Sequence, residues 1–333
     1  MDSMTNIIEV NNLCKQFKVQ RREAGLAKAL KTFFSQKYEV VDAVKDISFN
    51  IEKGEFIGMI GPNGAGKSTT IKIMTGILVP SSGNVKVMGY CPWDERLDYV
   101  KNIGVVFGQR TQLWWDLPPV DSFELLKHIY DIPEHRFKKN LEKFSEVLEI
   151  NKLMDIPVRK LSLGERMRCD LAASLLHDPK VLFLDEPTIG LDVVAKEKIR
   201  NFLKETNKEK KTTIILTTHD MGDIEELCPR IIIIDKGQKL YDGSVAEIKK
   251  KFGKERMLIV DFVESIHPRF DWKGVRATEI DAKKFKFLVD TRMAKISDVT
   301  KRILSKYQVH DITVEEPDIE EIIRDIYRRG LRA

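Results

Sequence analysis

The nine-residue run GPNGAGKST, Gly61–Thr69, constrains this chain more than anything else in its sequence. The pattern G-x-x-x-x-G-K-[ST] needs a strand before it and a helix after it. Both are legible: FIGMI is a short apolar run ending at Gly61, and STTIKIMTGIL continues with helical spacing. Gly64 and Gly66 let the backbone curl until several N–H groups point at one phosphate. The helix that starts near Lys67 adds its positive end. Lys67 sets a charge against the outer phosphates and Ser68 offers an oxygen to Mg2+. Pro62, Asn63, Ala65 and Thr69 complete the phosphate cradle.

A second signal is VLFLDEPT, in which four apolar residues end at Asp185 and Glu186. A buried strand delivers Asp185 to a metal, and Glu186 is placed to polarise or deprotonate an attacking water. Together the two motifs imply a nucleoside triphosphatase. A kinase or GTPase would carry both as well.

The surrounding text places these motifs in a layered α/β fold. Residues 6–16 and 45–60 read as strands feeding the glycine loop. Residues 113–178 are mostly helical. Then KVLFLDEP, TTIILTTHD and RIIIIDKG alternate with helical segments, which implies a mainly parallel sheet with helices on both faces. After GSVAEIKKKFG the composition shifts, and 255–333 reads as a small α/β unit of its own. Between the first two strands lies a basic insertion, about 18–37. Within it Leu26, Leu30, Phe33 and Phe34 share a helical face flanked by Lys28 and Lys31. No apolar run approaches the ~18 residues of a membrane span. The N-terminus lacks the pattern of a signal peptide. Four scattered cysteines without C-x-x-C spacing argue against zinc or a disulfide framework, and for a reducing cytoplasm. A formal charge of +5 is small for 333 residues, so no nucleic-acid partner is expected.

LSLGERMRCDLAASLLHDPKVLFLDEPTIGLD followed by TTHD resembles the ATP-binding cassette (ABC) family, the motor subunits of ABC transporters. The resemblance spans about residues 6–245. It implies the P-loop NTPase fold of ABC ATPases: a mainly parallel core sheet, an antiparallel N-terminal β part and a helical subdomain at about 112–178. The cassette would occupy 1–246 and the accessory α/β domain 247–333. By the same resemblance, Leu161, Ser162, Leu163, Gly164 and Glu165 form the signature motif, which closes over the γ-phosphate held by a second cassette. The amides of Ser162 and Gly164 are then expected to be unsatisfied at a helix N-terminus, held out as an anion site. Gln109 matches the Q-loop, a Mg2+ ligand with Ser68 and Asp185. Asp192 matches the D-loop at the dimer seam, His219 the switch histidine at the γ-phosphate, and Tyr38 the aromatic that stacks on adenine, with Phe17, Phe33 and Phe34 as rivals for that place. Glu186, His219 and Lys67 would carry catalysis. The chain departs from the commonest signature at Leu163, where Gly is usual, and at Glu165, where Gln is usual. Leu163 keeps its backbone N–H, and Glu165 suits the helix dipole while adding negative charge near a phosphate site.

One cassette without a membrane span implies a second ATPase subunit, more readily an identical chain than a different one. It also implies integral permease subunits, and a place at the cytoplasmic face of the cell membrane. The loop FGQRTQLWWDLP and the tail EEPDIEEIIRDIY look like those of ABC-2 type exporter ATPases. The insertion is similar in placement to the extra helix of polysaccharide and teichoic acid exporter ATPases. Its stripe at 24–36 offers a contact to lipid or permease, the bland alternative being packing on the cassette itself. A soluble, non-transport ABC ATPase is the reading from another class. Such proteins usually carry coiled coils or two cassettes in one chain.

Overall fold

The computed structural model describes residues 6–20, 38–108, 110–252, 255–266, 270–315 and 319–329. They divide into two compact units, Met1–Asp242 and Gly243–Ala333. The insertion helix expected at 24–36 lies outside the described residues.

In the first unit, β1 (Asn6–Gln20) and β2 (Tyr38–Glu52) pair antiparallel. The stretch 45–60, expected as one strand, is two. Strand β2 ends at Glu52, and the turn that follows uses Gly54 at a φ of 82°, a conformation only glycine adopts freely. Strand β3 (Phe56–Ile60) then enters a different sheet. Strand β4 (Ser82–Val87) pairs with the other side of β1.

The main sheet adds β5 (Ile103–Phe107), β6 (Val181–Asp185), β7 (Thr213–Thr217), β8 (Arg230–Asp235) and β9 (Gln238–Ser244), in the order β5-β6-β7-β3-β8-β9. Strands β5, β6, β7, β3 and β8 run parallel. Every residue of β3 and β7 is buried, which is why both read as unbroken apolar runs with no alternation. The helices are α1 (Lys67–Met74), α2 (Arg96–Val100), α3 (Pro119–Ile129), α4 (Glu134–Val147), α5 (Leu163–Leu175), α6 (Val193–Lys210) and α7 (Met221–Leu227). The core joins the two sheets through Ile8, Ile47, Met59, Ile71, Phe183 and Ile232.

Register decides where the site lies. Asp185 pairs with Phe107 on one side and Thr217 on the other, and Thr217 is level with Met59. Four parallel strands therefore end at one height, and the loops after them share one edge of the sheet.

The second unit contains α8 (Val245–Phe252), β10 (Glu255–Phe262), β11 (Val275–Glu279), β12 (Lys284–Asp290), α9 (Ile296–Leu304), β13 (Val309–Glu315) and α10 (Ile319–Arg329). Its sheet, ordered β11-β12-β10-β13, is antiparallel, with Leu258, Val260, Phe285 and Phe287 alternating into an aromatic core around Phe270. The short strand β11 was not apparent in the sequence. Only Val275 of VRATE is buried, so the segment carries little apolar signal. No described helix is long and apolar enough to cross a membrane.

One buried histidine is a contact that acid should weaken. His177, after α5, stacks on Tyr130 with ring centroids 4.0 Å apart. Its Nε2 meets the Ile103 carbonyl at 2.9 Å, and its Nδ1 has no partner among the described residues. Burial pushes the imidazole down to about 4. Between that value and the ordinary 6.5 the unfolded chain binds a proton that the folded chain refuses. The His177 contribution should therefore be complete above pH 6.5 and be lost as pH drops towards 4, by roughly 3 kcal/mol. The buried Asp170 carboxyl, pushed up to about 6, acts in the opposite sense over the same range. Urea unfolding of the wild type beside His177→Gln, which keeps a donor for Ile103, at pH 5 and pH 7 isolates the histidine. The variant should lose less stability, or gain more, between pH 7 and pH 5 than the wild type, and an unchanged difference would remove His177 from the pH dependence.

Candidate functional site

The glycine loop is shaped by close backbone approaches. A Cβ on Gly61 would lie 2.2 Å from the Ile234 carbonyl oxygen, and one on Gly66, at φ 109°, would lie 2.5 Å from that of Ala43. Ala65 between them is buried, and its carbonyl accepts from Gly237 N at 2.9 Å. The loop is thus fastened to the strands on either side, and α1 starts from Gly66. Lys67 is 6% exposed, and its Nζ donates to the carbonyls of Gly61 at 2.7 Å and Pro62 at 3.2 Å. Burial lowers its pKa, and the charges of Glu186 and Asp185 oppose that shift. Asn63, Gly64 and Thr69 belong to the same loop and first helical turn.

Asp185 stands at the end of β6. Its Oδ1 accepts from Ser68 Oγ at 3.1 Å and from Thr217 Oγ1 at 2.5 Å. A hydroxyl and a carboxylate oxygen this close are the hard donors that Mg2+ takes while keeping several waters, so the residues present fit that ion. Glu186, the next residue, has a φ of 56°, a left-handed conformation uncommon outside glycine. Two contacts hold it there. Its N–H donates to the Thr217 carbonyl at 2.9 Å, and Gly108 packs so closely that a Cβ would come within 2.1 Å of the Glu186 carbonyl oxygen. His219 Nδ1 lies 3.4 Å from Glu186 Oε1. The structure thus brings Lys67, Ser68, Asp185, Glu186 and His219 to one edge of the sheet.

Two residues of this site carried no signal strong enough to single them out. Thr217, just ahead of THD, is the second donor to Asp185. Asp223, fully buried in α7, accepts from Thr188 Oγ1 at 2.5 Å, Thr218 Oγ1 at 3.2 Å and Arg200 Nε at 2.7 Å. It ties the segment after Glu186 to the residue before His219 and to α6. Asp192 is exposed and caps α6, accepting from Ala195 N at 2.9 Å.

The segment at 161–165 differs from expectation. Ser162 N donates to Glu165 Oε2 at 2.8 Å, and Glu165 N donates to Ser162 Oγ at 3.3 Å, a reciprocal capping box. The Ser162 amide is therefore satisfied within the chain, because Glu165 supplies an acceptor. The amides of Leu163 and Gly164 lie in the first turn, where no earlier helical carbonyl can reach them. The hydrogen bonds from Ser162 hold the Glu165 carboxyl below its usual range. Leu163 also has a packing reason to be there: its Cδ2 lies where a Cβ on Gly190, at φ 69°, would come within 2.9 Å. Leu161 is buried just before the cap. Gln109 lies outside the described residues. Tyr38 opens β2, opposite Gln20, and its side chain lies outside them too.

Thr217→Val keeps the shape at β7 and removes one of the two hydroxyl donors to Asp185. Turnover should fall about tenfold or more, equivalent to ~1.4 kcal/mol of barrier. If the loop at 61–69 holds the phosphates of ATP as the sequence leads one to expect, ATP affinity should stay within about threefold on the same scale. Steady-state ATPase assays beside equilibrium ATP binding check this, and unchanged turnover would remove Thr217 from the site.

Comparison with known proteins places these features in context. The family model described as ABC transporter matches residues 44–189. The ABC transporter ATP-binding protein NatA of Bacillus subtilis is 33% identical over 215 residues, covering 65% of this chain and 87% of that protein. The linearmycin resistance ATP-binding protein LnrL of the same organism is 30% identical over 298 residues, 87% of this chain and 94% of that protein. Among solved structures, the dimeric post-hydrolysis state of the ATP-binding cassette MJ0796 bound to ADP and Pi superposes with a TM-score of 0.60 at 26% identity, covering 72% of this chain and 98% of that one.

Proposed function

Because the chain belongs to the ABC transporter ATP-binding proteins, and so is an ATPase subunit of a transporter, we propose that two such cassettes close head to tail over two ATP. In this reading they drive the permease subunits of an ABC-2 type exporter from the cytoplasmic face of the membrane. The observation that carries the hydrolytic part is one constellation: Ser68 and Asp185 oxygens 3.1 Å apart, with Glu186 and His219 within 3.4 Å of each other beside them. Lys67 and the amides of 61–69 hold the outer phosphates. Ser68, Asp185 and Gln109 would hold Mg2+, which would neutralise charge on those phosphates. Glu186 orients a water and takes its proton as the water oxygen attacks the γ-phosphorus, with ADP leaving and phosphate formed. His219, 3.4 Å from Glu186, takes the role of a contact to that phosphate in this reading. Tyr38 stacks on adenine. Leu161–Glu165 and Asp192 serve the partner's nucleotide across the seam.

The exporter assignment is supported by the match to the linearmycin resistance protein, which extends over 87% of this chain and whose name fits export better than uptake. A cassette followed by a small C-terminal α/β unit, and a contact of residues 24–36 with lipid or permease, complete the reading.

Glu186→Gln keeps the side-chain shape and removes the base. ATP binding should persist while hydrolysis stops, so that ATP-bound dimers accumulate on size-exclusion chromatography. A Glu186→Gln chain that turns over at the wild-type rate overturns the assignment of the base.

The trans arrangement has its own test. A Ser162→Arg chain has a sound phosphate loop, and a Lys67→Ala chain has a sound signature. Each alone should be nearly inactive. Their mixed dimer holds one composite site with both halves intact, so activity should partly return. Mixed dimers that form without exceeding either parent would refute the head-to-tail reading.

A further inference from the structure

Asp170 lies about two turns along α5 from Ser162 and is 3% exposed. Its Oδ1 accepts from Thr111 Oγ1 at 2.8 Å and from Gln112 N at 3.0 Å, while its carbonyl accepts from Gln112 Nε2 at 2.8 Å. A turn nearer Ser162, the Arg166 guanidinium sits over the Trp115 ring, 5.4 Å from its centroid. The turn leading into α5 takes hold of the same loop: Arg159 N donates to the Trp115 carbonyl and Val158 N to that of Leu117, each at 3.0 Å. The run 111–117 is therefore fastened along the signature helix and the turn before it.

The other side of Gln109 is fastened elsewhere. Gly108 N donates to the Asp185 carbonyl at 2.7 Å, and Gly108 packs against the Glu186 backbone. Between Gly108 and Thr111 the chain passes from an anchor on the carboxylate pair to an anchor on α5. Gln109 falls between the two in sequence. A buried carboxylate is a costly way to hold a helix against a loop, since an apolar side chain fills such a contact more cheaply. Burial indeed pushes this carboxyl up to about 6, opposed by the bonds from Thr111 and Gln112. What the carboxylate provides is acceptor capacity for two donors on one loop.

We propose that Asp170 is a positioning residue that locks residues 111–117, which follow the Gly108 contact with Asp185 and Glu186, to the signature helix, so that the loop beside this chain's own carboxylate pair and Ser162 at the partner's nucleotide move as one. The inference rests on the head-to-tail reading above.

The full chain tests it in three steps. First, Asp170→Ala should lower kcat about tenfold or more, with ATP affinity of the single chain and KM within about twofold of wild type. Second, Asp170→Asn, whose Oδ1 accepts from the same two donors, should recover at least about half of the lost rate. A parallel loss of ATP affinity, or no recovery with Asn, marks a merely structural role and overturns the proposal, as does a wild-type kcat in Asp170→Ala. Third, two mixed dimers separate the two sites. In one, Asp170→Ala is added to the Ser162→Arg chain, so the active composite site has a damaged loop at 111–117 and a sound signature. In the other it is added to the Lys67→Ala chain, so the composite site has a sound loop at 111–117 and a damaged signature helix. Both should fall well below the mixture of Ser162→Arg and Lys67→Ala alone. Loss in only one confines Asp170 to one site and overturns the coupling. If that reference mixture is itself inactive, the head-to-tail reading fails and this inference with it; if it is active and both additions match it, only the inference fails.

Discussion

The Asp185 Oδ1 atom, shared between the hydroxyls of Ser68 and Thr217, is the joint on which the rest of this structure depends. It links the first turn of α1, the end of β6 and the end of β7. That is possible only because β6 lies between β5 and β7 in a register that brings their last residues level. A slip of one residue would turn Asp185 to the other face of the sheet and leave the two hydroxyls without it. The close packing of the buried side chains of β6 and β7 is what makes such a slip costly. Catalytic placement here is a consequence of core packing.

Strain at Glu186 belongs to the same arrangement. A left-handed glutamate persists only where its surroundings determine it fully. Thr217 holds its amide, and the absence of a side chain at Gly108 admits its carbonyl. The residue proposed as base is therefore set by a β7 hydroxyl residue and a glycine after β5, neither adjacent to it in sequence. Asp223 extends the same logic outward, since one buried carboxylate gathers Thr188, Thr218 and Arg200 from three segments. Its three donors repay the cost of burying it.

The parts legible in the sequence were those whose chemistry is local. GPNGAGKST fixes its own backbone, VLFLDEP is a buried strand with its carboxylates attached, and the alternation of strands and helices gave the layered fold. Contacts made over long sequence distances were not legible. Thr217 is one threonine among several until β7 is laid beside β6. Gly108 looks like an ordinary loop glycine until the Glu186 carbonyl arrives beside it. Asp170 reads as one more charge on a helix, yet it is buried against a loop 58 positions away. The strand expected at 45–60 breaks because Gly54 turns the chain into a second sheet, and β11 was missed because one buried valine leaves no period to read.

The signature segment shows how a local rule and a distant contact settle the same residues together. Glu165 could be read as a penalty, a negative charge brought near a phosphate. Here the charge is already engaged: it accepts from the Ser162 amide and hydroxyl, and those bonds keep it ionised. The capping box stabilises the start of α5 and leaves the first-turn amides of Leu163 and Gly164 as the donors a phosphate can meet. The Leu163 side chain packs at Gly190, beside the segment that leads to Asp192. The two departures from the common motif thus do different work. Glu165 satisfies the Ser162 amide and so leaves two backbone donors for the anion of the proposed dimer, and Leu163 packs on the residues that would line the same seam.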